Sequence, residues 1–435
     1  MEEFKARRAR LLNALPADSV VLLPSASHKV RNRDAEYPFR QDSDFFYLTG
    51  FKEDNALLVL SNKQGKQACV LFCQAKNPEM ELWTGKRLGI EAAPAQLGVD
   101  SALDITSLDE KLVDFIADSQ HFYACWGKDE HWDKRFLAAL GQVKNMARKG
   151  VAAPQHMDAL EPVLHNMRLF KDTHELARMR KAAAISAKAH TLTMQACQPG
   201  KAEYELESVF IGHCLQQGAR FQAYNPIVGA GENACILHYN DNDQPIAAGD
   251  LILIDAGCEW DHYASDITRT FPASGKFSAE QKALYQICLD AQHAAIAQVA
   301  PGKHFNQPHE AAVAVICKGL LQLGLLQGEL ADIIKNETYK AFYMHRTSHW
   351  LGMDVHDVGD YKQAGQWREL QPGMVLTIEP GIYVAPDNMA VDARWRGIGI
   401  RIEDDVLVTD AGHEVLTAAV VKSVADIETL MASHV

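Results

Sequence analysis

The stretches LILIDAG (251–257) and YASDITRTF (263–271) decide how the second half of this 435-residue chain folds. The first is an unbroken apolar run of strand length ending in a carboxylate and a glycine, and the second is placed to return beside it as a hairpin partner. Asp255 and Asp266 are therefore expected to face each other across two strands. One such aspartate alone would more often accept hydrogen bonds at a turn. Two in apolar strands are costly to bury without a cation, which makes a metal ion their natural partner.

A second pair of carboxylates follows downstream. MVLTIEPGIYV (374–384) places Glu379 at the end of an apolar strand before a Pro-Gly turn, and GIGIRIEDDVLV (397–408) places Glu403 inside an alternating strand. A period of two sets Arg401 and Glu403 on one face and Ile400 and Ile402 on the other. Arg401 is thus positioned to brace carboxylates from behind rather than to form a surface salt bridge. Between the pairs lies HRTSHWLGMDVHDVG (345–359), which carries His345, His349 and His356. Four strand-borne carboxylates and one imidazole make a hard, oxygen-rich site for two divalent ions about 3.5–4 Å apart, whereas a structural zinc site would use more Cys and His.

Such a pair of ions acidifies a shared water and polarises a carbonyl, which is hydrolase chemistry. Glu379 suits a proton acceptor, and His356 suits a donor to a developing oxyanion, as does His238 in YNPIVGAGENACILHY (224–239). GAGEN in that segment is not a phosphate loop, because it lacks the Lys-Ser/Thr pair. The WLGMDV run between His349 and His356, with Gly352 and β-branched Val355, reads as a turn into an extended segment and not as a helix holding both imidazoles on one ion.

Outward from the carboxylates, the sequence shows a faint repeat. PGK at 199–201 leads into a helical stretch ending near Gly218, and PGK at 301–303 leads into another ending near Gly324. A long helix precedes each: one starts near Asp172 or Thr173, either a plausible N-cap, and the other opens on a Ser278-x-x-Gln281 capping box. Two such halves would pack around a shared sheet with a cleft at their junction. Up to about residue 150 short apolar runs (VVLLP at 20, ALLVL at 56, ACVLF at 68, FYACW at 122) alternate with amphipathic stretches such as 108–118, which reads as a separate mixed α/β domain. The boundary is expected between Gly150 and Asp172.

Composition excludes several classes. Hydrophobic residues at 47% and charged residues at 23% are those of an ordinary globular chain, and no apolar run approaches the roughly 18 residues that span a bilayer, so no membrane role is expected. The opening MEEFKARRARLLNAL, broken by Pro16 and Asp18, reads as a surface helix and not a signal peptide. Nine scattered cysteines without a CxxC pair fit reduced thiols in a cytoplasm. A net charge of -13 argues against nucleic acid as a partner.

The order Asp255, Asp266, His349, Glu379, Glu403 closely resembles the pita-bread metallopeptidases. The family signature stands here as His345, Ser348-His349, Gly352 and His356-Asp357, and the match continues through RIEDD (401–405). Upstream, EYPFRQDSDFFYLTGF (36–51) resembles the N-terminal domain of the Xaa-Pro aminopeptidases, so the resemblance covers nearly the whole chain. It implies an α/β (α+β) protein with an N-terminal domain over 1–165 and a catalytic pita-bread domain of two pseudo-repeated halves over 166–435. It implies two divalent ions, manganese by preference, on the five positions, with His238 and His356 at the substrate carbonyl and the tetrahedral intermediate. It further implies Glu379 as proton shuttle, Arg401 with Tyr383 behind the ligands, and His345 and Tyr383 against substrate. The implied substrates are peptides with N-terminal Xaa-Pro, and the implied enzyme is a cytoplasmic homo-oligomer, a dimer or tetramer. Trp83 and Asp34 lie in the domain that could reach a neighbouring subunit's cleft, and a purely structural role suits both equally. The alternatives are a prolidase that cuts only Xaa-Pro dipeptides and a non-catalytic relative used for binding; a relative of that second kind usually loses ligands. Arg346 departs from the glycine that many relatives have after the first histidine, which bears on the cleft beside His345.

Overall fold

The structure is a computed structural model that describes residues 1–432. Its backbone forms two compact units, Met1–Arg168 and the residues from Leu169 onward. In the first unit the short apolar runs are the strands of one six-stranded mixed sheet. Spatially the order is Ser101–Asp104, Ala68–Cys73, Leu57–Ser61, Ser19–Pro24, His121–Ala124 and His156–Ala159, with antiparallel pairing in the middle and parallel pairing towards both edges. The helices Leu108–Ile116 and Glu130–Asn145 turn Leu112, Ile116, Phe136 and Leu140 onto Leu22, Val59, Phe72 and Phe122, burying an apolar stripe of each. The opening helix Glu2–Ala14 buries Leu11 and Leu12.

The second unit repeats one order of elements twice. The helix Thr173–Ala196 runs into the Pro199-Gly200 turn and the helix Glu203–Gln216, and the helix Ala279–Ile296 runs into the Pro301-Gly302 turn and the helix Gln307–Gln322. Both long helices start on a complete capping box, Asp172 with Glu175 and Ser278 with Gln281, so the first-turn N–H groups are satisfied locally. A bent two-stranded ribbon belongs to each helix pair.

Those bends correct the expected strands. In the first ribbon Leu251–Asp255 pairs with Thr268–Pro272, and Cys258–Trp260 pairs with Tyr263–Ala264 beyond the bend. Asp255 lies opposite Thr268, not Asp266, because Asp266 falls in the bend between the two ladders. Gly257 permits that bend: a Cβ there would sit 1.7 Å from the Ser265 carbonyl oxygen. In the second ribbon Val375–Ile378 pairs with Asp404–Thr409, and Gly381–Val384 pairs with Ile398–Arg401. Glu403 is therefore not inside a continuous strand; with Ile402 it forms the bend opposite Glu379 and Pro380. The expected shared sheet is thus divided into short ladders. They still meet, since Glu403 N donates to Thr268 O at 3.1 Å and Thr270 Oγ1 joins the backbone of Arg401. Each ribbon contributes two carboxylates at its bend, and the bends lie side by side.

Candidate metal centre

Asp255, Asp266, His349, Glu379 and Glu403 line one cleft of about 1050 Å³ together with His238, His345, His356 and Arg401. Asp266, His349 and Glu403 each offer an atom within 4.8 Å of the other two. Trp350 O lies 2.9 Å from His349 Nδ1 and a carbonyl only accepts, so Nδ1 carries a proton and Nε2 faces the carboxylates. That Nε2 is 3.3 Å from Asp266 and 3.7 Å from Glu379. Asp255 joins from the other side, where Arg401 Nη2 donates to its Oδ2 at 2.7 Å. The Tyr224 hydroxyl reaches Asp255 at 2.6 Å and Asp266 at 2.5 Å; having one proton, it serves one of them at a time.

The electrostatics of this cluster call for added positive charge. Burial pushes Glu403 well above the usual carboxylate range, and the proximity of Asp266, Glu379 and Asp255 adds to it. Burial likewise lifts Glu379 to about 7 against the pull of His349 and Arg401. Asp266 is also buried, but the hydrogen bond and charge of His349 with the Tyr224 hydroxyl outweigh burial and hold it low. Burial opposes charge on His349, yet Asp266 and Glu379 overcome it and raise the imidazole to about 9. Four carboxylates and one imidazole in a largely buried place, with Arg401 the one guanidinium among the described residues that bonds a side-chain carboxylate of this set, suit hard divalent cations, so the donor set fits a metal centre.

Of the remaining candidates, His238, His345, His356 and Arg401 line the cleft and Tyr383 stands behind it with Arg401. Tyr383, expected against substrate, is 1% exposed and does not line the cleft. Its hydroxyl accepts from Arg401 Nη1 at 2.9 Å and reaches His345 Nε2 at 2.8 Å. Arg346 O can only accept and lies 2.8 Å from His345 Nδ1, so the proton of the neutral ring sits on Nδ1 and Tyr383 donates to the bare Nε2. Burial, reinforced by the Arg401 charge, pushes His345 down to about 3, so it is neutral. His345 and Tyr383 thereby anchor Arg401, which fastens Asp255. His238 and His356 are exposed on the cleft wall, and the His356 ring stands 4.4 Å from that of His349 at 74°. Residues 345–359 form no helix, in keeping with the reading of Gly352 and Val355 as a turn. Arg346 is exposed at the cleft, donates to Asn306 and lies over the Trp367 ring.

Three supporting residues escaped the sequence reading. Thr268 donates to Glu403 at 2.6 Å, Asp405 accepts from Asp266 N at 3.2 Å, and Tyr224 bridges the two aspartates. Tyr224 opens the very segment that contains His238, but a tyrosine there has no motif to mark it.

Comparisons with known proteins agree with this geometry. The model of metallopeptidase family M24 matches residues 177–410, and that of the aminopeptidase P N-terminal domain matches 4–123. The Xaa-Pro aminopeptidase of Escherichia coli (strain K12) is 44% identical over 431 residues, spanning 99% of this chain and 97% of its own. The structure of Pseudomonas aeruginosa aminopeptidase PepP superposes with a TM-score of 0.98 at 50% identity, covering 100% of this chain and 98% of that one. Aminopeptidase P from E. coli with the inhibitor Pro-Leu superposes with a TM-score of 0.97 at 43% identity, covering 100% and 98%.

Proposed function

The chain belongs to metallopeptidase family M24 and carries the aminopeptidase P N-terminal domain, and from that premise we propose that it removes the first residue from peptides whose second residue is proline. The observation that carries this reading is the meeting of both ribbon bends at His349, with Asp266 and Glu379 on its Nε2 and Arg401 behind Asp255. An Xaa-Pro bond is a tertiary amide without an N–H and can be cis, so it needs a dedicated site.

In this proposal Asp255, Asp266, His349, Glu379 and Glu403 hold two divalent ions, manganese by preference. When bound, such ions would supply Lewis acidity to a water and to the scissile carbonyl. Glu379, lifted towards neutrality by its burial, accepts the proton at its carboxylate and passes it to the leaving prolyl nitrogen. His238 and His356, on the exposed wall, donate to the carbonyl oxygen as it gains charge. Arg401, Tyr383 and His345 form a neutral-to-cationic brace that keeps Asp255 in place. The catalytic domain is assigned to 166–435 and the N-terminal domain to 1–165. Among the described residues no helix is long and apolar enough to cross a membrane, and the nine cysteines are free. A cytoplasmic location and a homo-oligomer, dimer or tetramer, belong to the same proposal.

The test is to strip the metal, restore manganese and analyse the products from Xaa-Pro and Xaa-Pro-Yaa peptides. Release of the first residue from Arg-Pro-Pro and longer peptides, with dipeptides cut poorly, is expected. Efficient cleavage of dipeptides alone would transfer the assignment to prolidase.

A further inference from the structure

On one wall of the cleft the chain builds a cationic aromatic surface with no part in the metal centre. The hairpin Lys362–Gln363 and Gln366–Trp367 turns through Ala364 and Gly365, both with positive φ (49° and 80°), as a two-residue turn of the primed kind requires. That turn sets the register and makes Lys362 the cross-strand partner of Trp367. The Lys362 ammonium lies 4.4 Å from the Trp367 ring centroid, and the Arg346 guanidinium lies 5.1 Å from it. The ring itself is held by Phe305, stacked at 6.2 Å, and Phe305 in turn packs 4.5 Å from Trp350, the neighbour of His349.

Lys362 and Arg346 are exposed and line the cleft, and neither forms an ion pair among the described residues. Arg346 gives one nitrogen to Asn306; the aromatic face orients both cations without cancelling their charge. Asp360 also lines the cleft here, and Glu337 lies within electrostatic reach of Arg346 without forming an ion pair with it.

Resting on the reading of this cleft as an Xaa-Pro-Yaa site, we propose that Lys362, Arg346 and Trp367 form a carboxylate-binding subsite for the part of the peptide beyond proline, selecting an acidic side chain or a nearby free C-terminus. Charge-assisted hydrogen bonds to an exposed site are modest, so the preference in kcat/KM is about three- to tenfold and weakens as salt rises.

The experiment measures kcat/KM of the manganese-loaded enzyme on Ala-Pro-Asp-NH2, Ala-Pro-Ala-NH2, Ala-Pro-Lys-NH2 and Ala-Pro-Ala as free acid. The subsite requires the acidic amide or the free acid to exceed the neutral and basic amides; the first identifies a side-chain carboxylate as its ligand and the second a C-terminus. Lys362→Glu must invert the order of the acidic and basic amides, and the double variant Lys362→Met with Arg346→Met must bring them level. Equal rates on all four peptides overturn the subsite while leaving the aminopeptidase reading intact. No cleavage of any of them overturns that reading instead. An acidic preference that persists in both variants places its origin elsewhere and also overturns the subsite.

Discussion

His190 and Gln292 occupy the same place in the two halves: each stands nine positions before its Pro-Gly turn, at Pro199 and Pro301. Each reaches a carbonyl beside a candidate ligand. His190 Nε2 lies 2.9 Å from Ala256 O, next to Asp255, and the Gln292 amide lies 3.5 Å from Ile378 O, next to Glu379, and 2.9 Å from Asp404. A long helix therefore fixes each bend through one side chain.

The difference between the two is titration. Burial, against the pull of Ala256 O, lowers His190 from 6.5 to about 4, so it is neutral in the fold. In the unfolded chain it protonates near 6.5, and the unfolded state then gains protons as pH falls through that value while the folded state does not. Stability is thus lost progressively between pH 6.5 and about 4, by about 3 kcal/mol across the window. Gln292 shows that an amide serves at this place, so His190→Gln should fold and lose that part of the pH dependence. Urea unfolding between pH 7 and 4 measures it; an unchanged slope in the variant would show that His190 is not the titrating group.

Gly352 makes room for the buried pair of Lys171 and Asp357, whose charges lie 2.9 Å apart. A Cβ at Gly352 would come to 2.1 Å from Asp357 Oδ2 and 2.9 Å from Lys171 Cε. Gly352→Ala should therefore break the pair and destabilise by about 3 kcal/mol. Gly212, in the helix Glu203–Gln216 with nothing within 4 Å of its added Cβ, should gain about 1 kcal/mol as Gly212→Ala. Chemical denaturation of both variants checks the contrast.

His356 stands against His349 without sharing the Nε2 contacts to Asp266 and Glu379. As a donor to the developing oxyanion it acts on the transition state, so His356→Ala should lower turnover by roughly 10²–10³ with a smaller effect on KM. Metal content and melting temperature should hold. Loss of metal with turnover would make it a ligand; loss of stability with turnover intact would make it structural.

The sequence displayed the site's participants better than its architecture. Asp255 and Glu379 end apolar runs, where a carboxylate is conspicuous, and the histidines cluster within fifteen residues (345–359). The bends were hidden, because period-two alternation through Ile400 to Glu403 continues unbroken in sequence while the backbone changes partner at Ile402. Tyr224, Thr268 and the burial of Tyr383 depend on side chains meeting from distant segments, which no local pattern encodes. The repeat was faint for a related reason: the halves share helix ends and turns, but His190 in one is Gln292 in the other.

Asp266 belongs to the bend of one ribbon and touches His349 across the junction. Asp266→Asn keeps the shape and removes the charge that offsets a cation. Elemental analysis and turnover on an Xaa-Pro-Yaa peptide, on the same preparation, are the measurement. Wild-type protein should carry about two ions per chain, and the variant should lose metal and activity together. Full metal occupancy with near-normal turnover in Asp266→Asn would contradict the five-ligand centre.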